Sequence, residues 1–258
     1  NPCLHVKNLQ VLHFDLELDS ETKIENLKHV LSKNIVYHIN SIQVYGNPER
    51  EIMEQLCACV ENVEQLNIKC SNNCNDWVTV DILSRWKLKE ISIKHLSIPK
   101  SIMTLIVQAC SELTSIKLVA LNIDDSVVIN IAQHCPKLET LIIHNSQLTY
   151  QSLLALSERG LPLREVDIPS LLKISAIDIA RRCSKVLSCI RNMNTFYLPR
   201  NGQDPSIVLP YLTGLTSLHV YKHLYVYTPL LLQHCNKLIK IDFFDLCSIY
   251  GYIVTLSR

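Results

Sequence analysis

One six-residue phrase, apolar–x–x–apolar–x–apolar, recurs ten times along these 258 residues and sets the period of everything else. Its clearest copy is Leu138-Glu139-Thr140-Leu141-Ile142-Ile143. The others begin at Leu9, Ile39, Val63, Leu88, Leu113, Leu163, Met193, Leu215 and Leu238. Successive starts are separated by 30, 24, 25, 25, 25, 25, 30, 22 and 23 residues. A period in the twenties means that each unit is one supersecondary element that leaves half its apolar surface uncovered, so successive units must stack. Closely spaced strands on one side against wider helices on the other force a curve. The expected fold is therefore an α/β solenoid of about ten repeats, with parallel strands on the concave face and helices on the convex face.

Residues 124–148 show how one unit is built. Asp124 and Asp125 are helix-starting residues whose carboxylates can accept from free backbone N–H groups. Val128, Ile131, Ala132 and Cys135 fall at i, i+3, i+4 and i+7, one face of a helix, and Pro136 stops it. Leu138 turns the chain, and Leu141 and Ile143 are the inward positions of a short strand. The helical face recurs as Met103, Ile106, Val107, Cys110, as Leu153, Leu156, Ser157, Gly160, and as Ala176, Ile179, Ala180, Cys183.

The stretch Cys135-Pro136-Lys137-Leu138-Glu139-Thr140-Leu141-Ile142-Ile143, preceded by Ile131-Ala132, resembles the cysteine-containing subtype of leucine-rich repeat. That subtype is found mainly in F-box proteins, the substrate receptors of cullin–RING ubiquitin ligases. Val60, Arg85, Gly160 and Leu212 stand where the cysteine would be in other units, and Ile123-Asp124 is the nearest match to the Thr-Asp pair usual at the helix start. The resemblance implies a single leucine-rich-repeat domain over 1–258: an irregular first repeat or cap over 1–38, regular repeats over 39–192 and C-terminal repeats over 193–258. It also implies an F-box-like module upstream, through which a Skp-type adaptor and a cullin are recruited while a target protein lies on the concave face.

Eleven cysteines would suit a secreted disulfide framework, but Cys110, Cys135 and Cys235 each sit three residues before a phrase, where stacked units bury small apolar groups. With an odd total and no Asn-x-Ser/Thr sequon, a reducing intracellular compartment, cytoplasmic or nuclear, is expected. A net charge of +1 excludes a gross polyanion-binding signal, so no nucleic acid is expected. No apolar run approaches the roughly 18 residues of a membrane span, and no membrane association is expected.

Cys57, Cys59, Cys70 and Cys74 lie within 18 residues but lack Cys-x-x-Cys spacing, and read as a helix end and a polar loop rather than a zinc site. His134 and His234 fall at helix ends, where a cation is favourable. There is no glycine-rich phosphate loop among five glycines and no Ser-His-Asp order. Neither catalytic residues, metal nor cofactor is expected. Pro199-Arg200-Asn201-Gly202-Gln203-Asp204-Pro205 reads as a turn-rich loop, and the β-prone tail Tyr250-Gly251-Tyr252-Ile253-Val254-Thr255-Leu256 as a candidate final strand.

Phrase positions four and six point into the core, so positions three, five and seven form the open strand face. Its rows run Val11, His13, Asp15, then Ser41, Gln43, Tyr45, then Gln65, Asn67, Lys69, then Glu90, Ser92, Lys94, then Ser115, Lys117, Val119. They continue as Thr140, Ile142, His144, then Glu165, Asp167, Pro169, then Thr195, Tyr197, Pro199, then Ser217, His219, Tyr221, and Lys240, Asp242, Phe244. Two patches stand out: a lysine file at Lys69, Lys94 and Lys117, and aromatics framed by polar groups, the composition of a binding hot spot. The candidate partner-binding residues are Lys94, Lys117, His144, Asp167, Tyr197, His219, Tyr221, Asp242 and Phe244. Readings outside the ligase class are a plain scaffold or regulatory inhibitor, and an extracellular immune-type recognition domain with disulfides.

Overall fold

A computed structural model describes residues 11–14, 37–38, 40–45, 49–70, 79–95, 99–119, 123–144, 148–168, 177–190, 192–194, 207–221, 228–244 and 252–255. These form a repeating α/β architecture, divided into two compact units: Asn1–Asn122 with His134–Lys137, and Ile123–Gln133 with Leu138–Arg258.

In the first unit, strands β1 (Val11–Phe14), β3 (Ser41–Tyr45), β5 (Gln65–Cys70), β6 (Glu90–His95) and β7 (Ser115–Val119) pair in that order, all parallel. A small parallel pair, β2 (Tyr37–His38) and β4 (Val60–Glu61), stands apart from them. Helices α1 (Arg50–Cys59), α2 (Val80–Leu83) and α3 (Lys100–Ala109) connect successive strands. Parallel neighbours require such crossovers.

The second unit holds helix α4 (Asp125–His134) up to Gln133, then β8 (Thr140–His144), parallel to β9 (Glu165–Asp167), with α5 (Tyr150–Glu158) between them. Helices α6 (Ile177–Arg182) and α7 (Ser184–Leu187) lead to β10 (Asn192–Asn194). A second sheet follows, ordered β10, β11 (Ser217–Tyr221), β12 (Lys240–Phe244) and β13 (Tyr252–Thr255). A 3-10 turn at Leu209–Tyr211 and helix α8 (Thr228–His234) make its crossovers. The first three strands are parallel and β13 is antiparallel, so the expected terminal strand exists and runs against its neighbour.

The alternation expected of the phrase is met. Leu66, Ile68, Ile91, Ile93, Ile116, Leu118, Leu141, Ile143 and Val166 are at most 2% exposed. Positions three and five between them are half-buried or exposed, with Ser41, at 6%, the buried exception. The helical face is equally legible: Val128, Ile131, Ala132 and Cys135 are buried, as are Met103, Ile106, Val107 and Cys110. Helix α4 ends at His134, just before Pro136.

A backbone device fixes each register. The position-two carbonyl of one phrase accepts two consecutive N–H groups from the next. Asn40 O takes Glu64 N (2.9 Å) and Gln65 N (3.0 Å), Glu64 O takes Lys89 N and Glu90 N, and Lys89 O takes Thr114 N and Ser115 N. In the second unit Glu139 O takes Arg164 N and Glu165 N, and Thr216 O takes Ile239 N and Lys240 N. A carbonyl has two lone pairs, so one acceptor anchors the start of each new strand.

Three expectations are corrected. The phrase placed at Met193 is out of frame: Met193 pairs with Leu218, the fourth position of its phrase, so the count toward β11 begins at Ile190, whereas toward β9 Ile190 itself pairs with the fourth-position Val166. Counted toward β11, the gap of 22 residues becomes 25 (190 to 215). The Arg85 and Gly160 slots are exposed, and the core contact passes to the next residue, Trp86 (4%) and Leu161 (4%). Gly160 instead follows the helix as its left-handed cap, φ 63°, donating to Ser157 O (3.2 Å). Finally, only Asp124 of the acidic pair caps its own helix, accepting from Ser126 N (3.2 Å) and Ser126 Oγ (2.6 Å).

Candidate functional site

In the first unit the strand face is a polar trough of about 360 Å³. Its floor is set by the buried fourth- and sixth-position side chains. Its lining comes from the third, fifth and seventh, among them Asn67, Lys69, Glu90, Ser92, Lys94 and Lys117. Lys69 pairs in register with Lys94, two like charges directly opposite on adjacent parallel strands. Lys117 lies opposite Ser92 rather than Lys94, whose own opposite residue is Val119. The expected lysine file is thus a bent triangle. Lys69 and Lys94 are exposed and Lys117 half-buried.

The rim of the same unit carries opposite charges in the same stacking geometry. Lys89 Nζ meets Glu64 Oε1 at 2.5 Å and Lys137 Nζ meets Glu112 Oε2 at 2.5 Å, each pair 25 residues apart. All four side chains are well exposed, so each pair contributes at most about 1 kcal/mol.

In the second unit, two candidate residues from adjacent strands meet. Ile142 pairs with Asp167, and His144, two residues on, donates through Nε2 to Asp167 Oδ2 at 3.0 Å. Asp167's side chain is 13% exposed and that of His144 38%, so the carboxylate is largely covered while the imidazole is offered to solvent. They act as one hydrogen-bonded unit rather than as two independent contacts.

On the second sheet the register sets Ser217 opposite Lys240, His219 opposite Asp242 and Tyr221 opposite Phe244. The two aromatic positions and the His/Asp positions that sequence reasoning grouped therefore occupy matched places on neighbouring strands. Tyr197 lies outside the described residues, as does Pro199. The corrected frame puts Asn192 opposite Ser217 and Asn194 opposite His219 in their row.

Four buried thiols are held away from the reactive thiolate form. Burial pushes Cys57, Cys110 and Cys135 up to about 12, and Cys183 up to about 11. A nucleophilic cysteine needs thiolate at neutral pH, which burial disfavours; Arg85 beside Cys57 and Arg182 beside Cys183 offset that only in part. Cys57 Sγ lies 3.9 Å from Ile82 O, and Cys189 Sγ donates to Leu163 O at 3.0 Å. Cys74 lies outside the described residues.

Sequence reasoning missed Asp125. Instead of capping α4, it reaches to the start of α5, accepting from Thr149 N (2.9 Å), Thr149 Oγ1 (2.6 Å) and Ser152 Oγ (2.5 Å). A sequence signal existed: an acid opening one helix, with Thr and Ser at the next helix start 24 and 27 residues later. Similar joints appear at Ser157 Oγ, which donates to Arg182 O (2.7 Å), and at the Arg182–Glu158 ion pair.

No protein-family model matches the chain, and no curated protein matches it significantly.

Proposed function

We propose that the chain is a leucine-rich-repeat solenoid of about ten repeats, strands on its concave wall and helices on its convex one. In this reading it is the substrate-recognition part of a cullin–RING ubiquitin ligase. The observation that carries the repeat reading is the phrase itself: within each unit it buries positions four and six and leaves positions three and five toward the open strand face. The ligase reading rests on the cysteine-bearing form of the phrase, with Cys110, Cys135 and Cys235 buried in the same slot. Under it the chain supplies no chemistry. It holds a target protein on the strand face and raises the effective concentration of target lysines near the ubiquitin carrier. A Skp-type adaptor and a cullin bind through a module outside these residues.

The test is co-purification of tagged full-length protein from cells of its source, probed for a Skp-type adaptor and a cullin. Their stoichiometric recovery is expected. A target recovered without either would overturn the ligase reading and leave the scaffold or inhibitor role. An intracellular protein also predicts eleven free thiols on titration in denaturant; six or fewer would favour the extracellular alternative. No helix among the described residues is long and apolar enough to cross a membrane.

A further inference from the structure

We propose that the strand face of the first unit receives an extended, acidic segment of a partner protein. The inference rests on the reading of the strand faces as binding surfaces and names the chemistry of what one of them takes. Three lysines converge on one trough, and a single acid, Glu90, lines it with them. No ion pair joins Lys94 or Lys117 to an acid among the described residues. The rim positions of the same strands, by contrast, match Lys89 to Glu64 and Lys137 to Glu112. Lys69 and Lys94 stand directly opposite one another on neighbouring strands. An anion laid against Lys94 and Lys117 gains an attraction to each.

The remaining lining completes the specificity. Asn67 and Ser92 are opposite each other in register, and Ser92 is also opposite Lys117; each is able to donate to a carboxylate or to a peptide carbonyl. The lysines spread over three strands, so the complementary anion is not a single compact group. Strands lie about 4.8 Å apart, and alternate side chains of an extended peptide repeat at about 6.8 Å. Flexible lysine stems span that mismatch, so a segment crossing β5, β6 and β7 with an acid at every second residue reaches each ammonium in turn. Glu90, at the start of the central strand β6, disfavours acids on that side of the trough.

The test uses the full chain and three fluorescent dodecapeptides of equal length: alternating Glu/Ser, alternating Gln/Ser and alternating Lys/Ser, titrated by anisotropy at low and at physiological salt. The Glu/Ser peptide is expected to bind, with affinity falling as salt rises. The Lys94→Glu/Lys117→Glu double variant is expected to weaken it at least tenfold, while Lys87→Glu, an exposed lysine outside the trough, changes it less than twofold. Circular dichroism of the double variant confirms that it is folded; if it is not, Lys94→Gln/Lys117→Gln replaces it with the same expectation. Equal binding of the Gln or Lys peptide, or an unchanged affinity in the double variant, would overturn the proposal. So would tighter binding of a single-stranded oligonucleotide that competes for the trough. Adaptor co-purification is scored separately: its loss with peptide binding intact removes the ligase reading alone, and the converse removes the acidic-segment proposal alone.

Discussion

Replacing Asp125 by Ala removes a carboxylate that ties two consecutive helix starts together, and its cost can be worked from the contacts. Three groups lose their acceptor: Thr149 N, Thr149 Oγ1 and Ser152 Oγ. The Thr149 groups are exposed, so water replaces most of what they lose. Ser152 is 0% exposed, and its hydroxyl is left buried without a partner, a cost of about 1–3 kcal/mol. Thr149 also caps α5 by accepting from Gln151 N (3.2 Å), and a loosened cap costs roughly 1 kcal/mol more. The sum is about 2–4 kcal/mol, read as a shift in the urea midpoint followed by circular dichroism. Asp125→Asn keeps an acceptor and should lose about half as much. Ser152→Ala removes the group that would be orphaned, so the double variant Asp125→Ala/Ser152→Ala should cost less than the sum of the singles by about 1 kcal/mol. A cost under about 0.5 kcal/mol for Asp125→Ala, or strict additivity of the pair, would refute the clasp.

Three further outcomes are expected. Leu141→Ala, at a site 0% exposed, should cost about 2–5 kcal/mol by opening a cavity in the strand floor, measured in the same urea assay. The buried thiols make stability pH-dependent on the alkaline side. Cys57, Cys110 and Cys135 are raised to about 12 from an ordinary 9.0, so folded protein holds these protons more tightly than unfolded chain. Their contribution is full below pH 9 and falls as pH rises from 9 toward 12. Thermal midpoints across pH 7 to 10.5 should be flat, then decline, and Cys110→Ala/Cys135→Ala should shallow the decline. Tyr221→Ala/Phe244→Ala should weaken capture of the target identified by co-purification while leaving the circular-dichroism spectrum unchanged; loss of the fold would place those rings in the core.

What was legible in the sequence is what short-range pattern decides. Leu141 and Ile143 alternate within one strand, and Val128, Ile131 and Cys135 recur within one helix, so each face is written locally. The frame at Met193 was not legible for the complementary reason. The unit counted from β11, Ile190-Arg191-Asn192-Met193-Asn194-Thr195, has Thr in its sixth place, while Met193, Phe196 and Leu198 satisfy the phrase in full. Pairing with β11 decides between them, and that partner lies 25 residues away. The cysteine slot failed at Arg85 and Gly160 by one residue because Trp86 and Leu161 supply the apolar volume from the adjacent position. Asp125 read as a cap because its role depends on the helix stacked beside it.

The contrast between rim and face bears on where a partner binds. Stacking at a period near 25 places identical phrase positions side by side, so any charge meets the charge one period away. At position two this yields Lys89 with Glu64 and, in the second unit, Arg164 with Glu139 at 3.2 Å. Just before the phrase it yields Lys137 with Glu112. At position seven the same geometry sets Lys69 against Lys94. A swap of either lysine for an acid would set opposite charges there without touching the core, since the seventh position is outside it. Matched charges thus mark the rim, and like charges the face. The acidic segment proposed above has the chemistry that suits such a face, and the strand face of the first unit is where it is to be sought.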